Sequence, residues 1–264
     1  MSNKTVLITG GSGGIGKEIS KLFLNEKFNL IIVGRSHTEI DKCKQELGSE
    51  NVIYWSMDLG FADSATRLFE KVKESEIDVD VLINNAGFGL YGSHIDIEYE
   101  RLQNMLLLNV HTLACLSHLF GHEMSQKGVG TIINIGSTAA FQPLPNLAAY
   151  AASKSFVLNF SMALASEFEG SGVNVLCVCP GATKTAFMST AGLGRTEKFG
   201  STDYFAHKIA MAPEKVALTL FEAYKERKKI AVPGITNKMH RLAVRVLPKF
   251  AFEQVVNTVL GNRR

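Results

Sequence analysis

Cysteine is scarce, long apolar runs are missing, and acid is nearly absent from one end of the chain. The 264 residues hold four cysteines, Cys43, Cys115, Cys177 and Cys179, with no C-x-x-C spacing among them. That set builds neither a disulfide framework nor a zinc knuckle, so reduced, buried thiols are expected. No apolar run reaches the ~20 residues that span a bilayer. The opening Met-Ser-Asn-Lys leads straight into a β-branched run rather than a secretory leader, so a cytoplasmic protein is expected. Residues 227–264 hold nine Lys/Arg against one acid, Glu253, so the net charge of +3 hides a tail of +8 on a body of −5. A negative body argues against nucleic acid as a partner, and any affinity for anions should lie in the tail. With 46% apolar and 20% charged residues, the chain can bury a substantial core.

What is present is an unbroken alternation of short apolar runs with helical spacing. Strands are expected at 5–9, 29–33, 51–56, 79–83, 131–135, 174–179 and 229–232, and the continuity favours one domain. After the first run comes Gly10-Gly11-Ser12-Gly13-Gly14-Ile15-Gly16, and then Ile19, Leu22 and Phe23 keep helical spacing. In a strand–turn–helix, such glycines let the backbone approach a ligand, and the helix N-terminus offers free N–H groups to a phosphate.

The second strand ends in Gly34-Arg35-Ser36. A fold that prefers NAD carries Asp or Glu there for the ribose 2′-hydroxyl. An Arg with no acid beside it suits a 2′-phosphate, so NADP is favoured. At the third strand's end, Asp58 could accept from an adenine amino group, cap a helix beginning near Phe61, or do both. Asn84-Asn85-Ala86-Gly87 follows the fourth strand, where small residues permit a flat ligand or a plain turn.

One long helix is expected over 99–125, with Asn109 in the middle of an apolar face. A buried amide needs partners, in a structural bond or in a polar site. His111, Cys115, His118 and His122 line one side of this helix but spread over three turns, so no metal site is expected. The fifth strand ends at Gly136-Ser137, and ligands of open parallel sheets bind at such carboxyl ends.

Tyr150 and Lys154 then sit at i and i+4 on a helix expected over 150–168, one turn apart on one face. Tyrosine titrates near ~10, so acid–base work at neutral pH needs nearby positive charge, which Lys154 can supply. Cys177 and Cys179 share a strand face and read as core. The stretch 187–212 lacks periodicity and is long enough for a substrate lid. Phe88, Tyr91, Phe141, Leu144, Phe187 and Met188 fall in loops around the expected pocket and hint at an apolar substrate.

Thr9-Gly10-x-x-x-Gly14-x-Gly16, Asn84-Asn85-Ala86-Gly87, Asn109, Ser137, Tyr150-x-x-x-Lys154 and Pro180-Gly181 occur in this order. Over residues 4 to about 235 the chain resembles the short-chain dehydrogenase/reductase family in its compact single-domain branch. The resemblance implies an α/β fold with a doubly wound, parallel, seven-stranded Rossmann sheet. It implies Tyr150 as proton donor or acceptor and Lys154 lowering its pKa and holding the nicotinamide ribose. Ser137 would orient the substrate oxygen, and Asn109 would hold a relay water. Gly10, Ser12, Gly14, Ile15 and Gly16 would line the pyrophosphate. Arg35, Asp58, Leu59, Asn85, Ala86, Gly87, Pro180, Gly181, Thr183 and Thr185 would complete the groove, with Tyr150 and Lys154 also touching the cofactor. Thr183 departs from the aliphatic residue frequent there. A homodimer or homotetramer is expected.

The expected reaction is hydride transfer between NADP(H) and a carbonyl or secondary alcohol. A non-catalytic NADP-binding redox sensor would need only the glycine turn and Arg35, and a nucleotide-sugar epimerase would share the Tyr/Lys pair. Residues 1–235 are expected to form the catalytic domain and 236–264 a basic helical extension. Within that extension, Lys238, Arg241 and Arg245 recur on one helical face, opposite Met239, Leu242, Ala243, Val246 and Leu247. A second helix is expected over 251–260. Such an extension covers the pocket, makes a subunit contact, or meets an anionic membrane surface.

Overall fold

A computed structural model describes residues 4–185, 187, 191 and 210–246. Seven parallel strands lie in the order β3-β2-β1-β4-β5-β6-β7. They are β1 (Thr5–Thr9), β2 (Asn29–Gly34), β3 (Val52–Ser56), β4 (Val81–Asn84), β5 (Gly130–Ile135), β6 (Val173–Val178) and β7 (Ile230–Ala231). The chain winds outward from β1 to β3, crosses back to β4 beside β1, and winds outward again to β7. Its direction therefore reverses between β1 and β4, and the loops leaving those two strands diverge to open a crevice.

The strands are apolar on both faces because helices cover both faces. Val6 and Ile8 face one layer, built by α1 (Gly14–Asn25), α2 (His37–Leu47) and α7 (Pro213–Lys225). Leu7 faces the other, with α3 (Ser64–Glu74), α5 (Leu113–Lys127) and α6 (Ala148–Glu167). A row of polar side chains pins that second layer to the sheet. Asn84 Nδ2 donates to Ser117 Oγ at 3.1 Å and to Asn134 Oδ1 at 2.9 Å, and Asn134 Nδ2 donates to Ser161 Oγ at 3.0 Å. Cys177 and Cys179 are fully buried between β6 and α6, and all four cysteines are free thiols.

The long helix expected over 99–125 is broken. It runs as α4 (Tyr99–Leu106), a π-helical segment (Leu107–Thr112) and then α5. The widened turn carries Asn109 into the interior. Such π segments are rare and recur at functional sites. The helix after β3 starts at Ser64 rather than near Phe61. Asp58 does not cap it, because Asp58 Oδ1 accepts from the Gly60 amide at 2.9 Å within its own turn. Beyond β7, the short helix α8 (Ile235–Val246) carries the basic residues expected there. Met188, Leu247, the helix expected over 251–260 and most of the stretch expected as a lid lie outside the described residues.

Packing between α1 and α7 centres on Phe23. Its ring meets Phe28 and Phe221 edge-on at 5.1 Å and lies 5.6 Å from Tyr224. With no exposed area and three aromatic neighbours, Phe23 cannot be truncated without leaving a cavity. Phe23→Ala should lower the unfolding free energy by about 3–5 kcal/mol. Urea unfolding, with the slope unchanged, measures it.

Candidate active site

The turn after β1 is fastened to the end of β4 by two side chains. Thr9 Oγ1 accepts from the amides of Asn85 and Ala86, both at 3.0 Å. Asn85 Nδ2 donates to the carbonyls of Thr9 at 2.9 Å and Gly10 at 3.0 Å. Gly16, on the first turn of α1, lies so close to this knot that a Cβ there would meet Gly10 O at 2.1 Å and Asn85 Nδ2 at 2.5 Å. The N-cap Gly13 offers no side-chain hydrogen bond and the first turn holds no acid. The leading N–H groups of α1, around Gly14, Ile15 and Gly16, therefore lack a side-chain cap, the arrangement an anion site requires.

From that turn the crevice extends two ways. Toward the sheet edge, Ser12 packs on the end of β2, where a Cβ on Gly34 would meet Ser12 Oγ at 2.5 Å. Arg35 is exposed just beyond it. Leu59 is buried under the same edge, and Asp58 is half-buried beside it. Toward the other side, Thr185 lies over Gly14, its Cγ2 3.2 Å from where a Cβ would stand.

The crevice floor leads to Gly87, whose hypothetical Cβ falls 2.9 Å from Asn109 Oδ1 and 3.5 Å from Lys154 Nζ. Asn109 is buried and fully engaged. Its Oδ1 accepts from Phe88 N at 3.2 Å, and its Nδ2 donates to Phe88 O at 2.9 Å and Ser153 Oγ at 3.2 Å. Of the two uses open to this amide, the described contacts are those of a brace. Ser153 in turn donates to the Tyr150 carbonyl at 2.7 Å, tying the brace to α6.

Tyr150 and Lys154 are both buried on the inner face of α6. Lys154 Nζ donates to the Ile135 carbonyl at 2.9 Å and lies 5.9 Å from the centre of the Tyr150 ring. Burial pulls the Lys154 pKa down to about 8. Burial likewise pushes Tyr150 up to about 12, against the opposing pull of a hydrogen bond with the Ser137 side chain. The sequence leads one to expect Lys154 to lower the phenol. Here the ammonium is turned to a backbone carbonyl, desolvation dominates, and Tyr150 is held protonated at neutral pH. Ser137 Oγ also accepts from the Ala139 amide at 3.1 Å, which fixes the hydroxyl at the end of β5.

An apolar wall surrounds the phenol. Leu90, Met105, Ala139, Phe88, Leu144, Leu147 and Phe187 form one cluster with Tyr150, and the Phe187 ring lies 5.4 Å from the Tyr150 ring. Phe141 does not join it. Its ring packs with Leu113, Val157 and Val232 and faces His240 and Arg241 of α8.

A family model described as short chain dehydrogenase matches residues 4–195. The chain belongs to the short-chain dehydrogenase family. Among its relatives is the uncharacterized oxidoreductase YvrD of Bacillus subtilis, 32% identical over 220 residues, which are 83% of each chain. The NADP-dependent 3-hydroxy acid dehydrogenase YdfG of Salmonella typhi is 33% identical over 80% of this chain and 85% of that protein. A solved short-chain dehydrogenase from Sphingobium yanoikuyae in complex with NADPH superposes with TM-score 0.79 at 26% identity, covering 99% of this chain and 96% of that one.

This short-chain dehydrogenase brings most of the residues singled out in its sequence to one crevice. Gly10, Gly16, Asn85 and Ala86 meet directly, as do Gly14 with Thr185, Gly87 with Asn109 and Lys154, and Ser137 with Tyr150. Pro180 accepts from the Thr138 amide at 2.8 Å, beside Ser137. Thr183 donates its hydroxyl to Gly181 O at 3.0 Å and bridges to Met211 through the backbone. Gly181 turns toward α8, packing on Asn237. Sequence reasoning gave no role to Ser153, Leu90, Met105 or Leu147. Ser153 carried a signal in its place between Tyr150 and Lys154, whereas the three apolar residues carried none.

The closest approach in the site is at Gly16. Because the obstructing atom is a backbone carbonyl, Gly16→Ala must shift the turn itself and should cost about 1–3 kcal/mol. Thermal unfolding of the variant measures this.

Proposed function

We propose that the protein is an NADP(H)-dependent carbonyl reductase or alcohol dehydrogenase acting on an apolar substrate, with Tyr150 as its general acid/base. The observation that carries this reading is the pairing of Ser137 with a buried, protonated Tyr150 beside Lys154, at the apolar end of a crevice whose other end is an uncapped helix N-terminus. The NADP-dependent relative and the NADPH-bound neighbour support the choice of cofactor. Arg35 supports it too. Its neighbour Gly34 is packed against Ser12, so an acid for a ribose 2′-hydroxyl has no room at 34 unless Ser12 moves.

The glycine turn and the α1 N-terminus would hold the pyrophosphate, and Arg35 the 2′-phosphate. Gly87 and Lys154 would line the ribose next to the reacting ring. When bound, NADPH supplies the hydride. Tyr150 and Ser137 both direct hydroxyl protons at one carbonyl oxygen. Ser137 stabilises the charge that develops there, and Tyr150 gives up its proton to form the alcohol. Lys154 retains donors beyond its bond to Ile135 O, and its charge stabilises the phenolate that Tyr150 becomes. Asn109 positions this chemistry at one remove, by fixing the backbone of Phe88 and the hydroxyl of Ser153. The wall of Leu90, Met105, Leu144, Leu147 and Phe187 excludes water and favours apolar groups flanking the carbonyl.

Tyr150→Phe keeps the ring packing and loses the proton, so turnover should fall by ~10²- to 10⁴-fold while NADPH still binds. A ketone and aldehyde screen followed by NADPH absorbance, with NADPH titration by fluorescence, checks both halves. Activity within a few-fold of wild type would remove Tyr150 from the mechanism.

Arg35→Ala should erase most of the preference for NADPH over NADH. A hydrogen bond to a charged group contributes about 1.5–3 kcal/mol, or roughly ten- to hundredfold in affinity. Dissociation constants for both cofactors, measured on wild type and variant, give the ratio directly. Equal constants in the wild type would refute the role of Arg35.

A further inference from the structure

Helix α8 presents its apolar side outward. Ile235, Met239, Leu242 and Val246 recur at four-, three- and four-residue intervals and are 70%, 65%, 63% and 73% exposed. The opposite side meets the body. The Asn237 side chain packs on Gly181 and donates to the Pro233 carbonyl at 2.7 Å, and the His240 ring lies 6.3 Å from Phe141. Arg241 also turns to the body, over the Phe141 ring at 5.9 Å, and the exposed Lys238 and Arg245 occupy the side between. Lys238 and Arg241 border a cleft of about 280 Å³ between α7, β7 and α8, which Thr219, Glu222 and Lys228 also line. A one-sided apolar stripe this exposed marks an interaction surface, because a helix with nothing to meet has its polar side in water.

We propose that α8 docks the protein on an anionic lipid surface, with the stripe entering the acyl boundary and the exposed Lys238 and Arg245 meeting the phosphates beside it. Charge complementarity selects this occupant over a second copy of the chain. Helix α8 holds three Lys/Arg and no acid, and residues 227–264 hold nine against the single Glu253. Joining two stripes about a twofold axis would bring the cations flanking each one together with no carboxylate on α8 to answer them. A phosphate-rich surface takes the same cations with attraction, and an amphipathic helix with apolar and basic sides is the element that lies in such an interface.

The test is sedimentation of the full-length protein with vesicles of phosphatidylcholine alone and of equal phosphatidylcholine and phosphatidylglycerol. Salt is set at ~0.01 M and ~1 M, where charges are screened beyond about 30 Å and 3 Å. Wild type should pellet with the anionic vesicles at low salt and release at high salt. K238Q/R245Q should lower partitioning roughly 30-fold, two charges at about 1 kcal/mol each. M239S/L242S should lower it roughly tenfold or more. Both pairs are exposed, so melting temperatures should match wild type. If a variant melts early, the wild-type dependence on lipid charge and salt decides the question alone. Failure to pellet with anionic vesicles at low salt overturns the proposal, as does equal pelleting on phosphatidylcholine. So does undiminished pelleting of M239S/L242S, and if sedimentation velocity then shows that variant dissociating an oligomer, the occupant is a second copy.

Discussion

The hydrogen bonds of Asn85 to the carbonyls of Thr9 and Gly10 hold the whole site in register. They join the ends of the two strands between which the winding reverses, where a parallel sheet supplies no further ladder. Thr9 answers from the other side by accepting the amides of Asn85 and Ala86. Because the knot is tight, α1 can start against it only with Gly16 in its first turn, and that contact aims the helix N-terminus along the crevice. The same knot sets where the chain goes after Ala86, and so brings Gly87 against Lys154 and Asn109. The glycine turn and the Tyr150–Lys154 pair thus share one anchor, although some 140 residues separate Gly10 from Lys154 along the chain.

Burial is the second constraint, and it acts oppositely on the two titrating groups. A phenol out of water keeps its proton, and an ammonium out of water tends to lose one, so the pair is drawn toward a neutral Tyr150 and a weakly held charge on Lys154. That suits the role proposed for Tyr150, a donor that gives up its proton only when an alkoxide forms within reach. It also explains why Lys154 is turned to the Ile135 carbonyl, since a buried cation needs an acceptor.

Much of this was legible in the sequence, because glycine spacing, strand periodicity and the i, i+4 relation of Tyr150 and Lys154 are local statements. All seven strands lie where the apolar runs put them, within a residue or two at their ends. What was not legible depends on contacts distant in sequence. The π-helical turn at 107–112 has no compositional mark. It arises where Asn109 reaches the Phe88 backbone and Ser153, three segments that meet only in the fold. Phe141 falls in a loop that the sequence places around the expected pocket, yet the 3-10 turn Thr138–Phe141 rotates it to the far side, against α8. Of the two roles the sequence leaves open to Asp58, the helix cap is not made, because Gly60 offers a nearer amide.

The basic end of the chain shows the same division between what patterning sets and what packing decides. Amphipathicity predicted a helix and its two sides, and left open which side would face the body. Packing decided it through small polar contacts, Asn237 on the bare backbone of Gly181 and His240 and Arg241 beside the displaced Phe141 ring. None of the three body-facing contacts uses the aliphatic side. The rotation of Phe141 away from the apolar cluster around Tyr150 therefore does two things at once. It leaves that cluster to Phe88, Leu144 and Phe187, and it gives α8 an aromatic seat for its polar side, which obliges the apolar side to point outward.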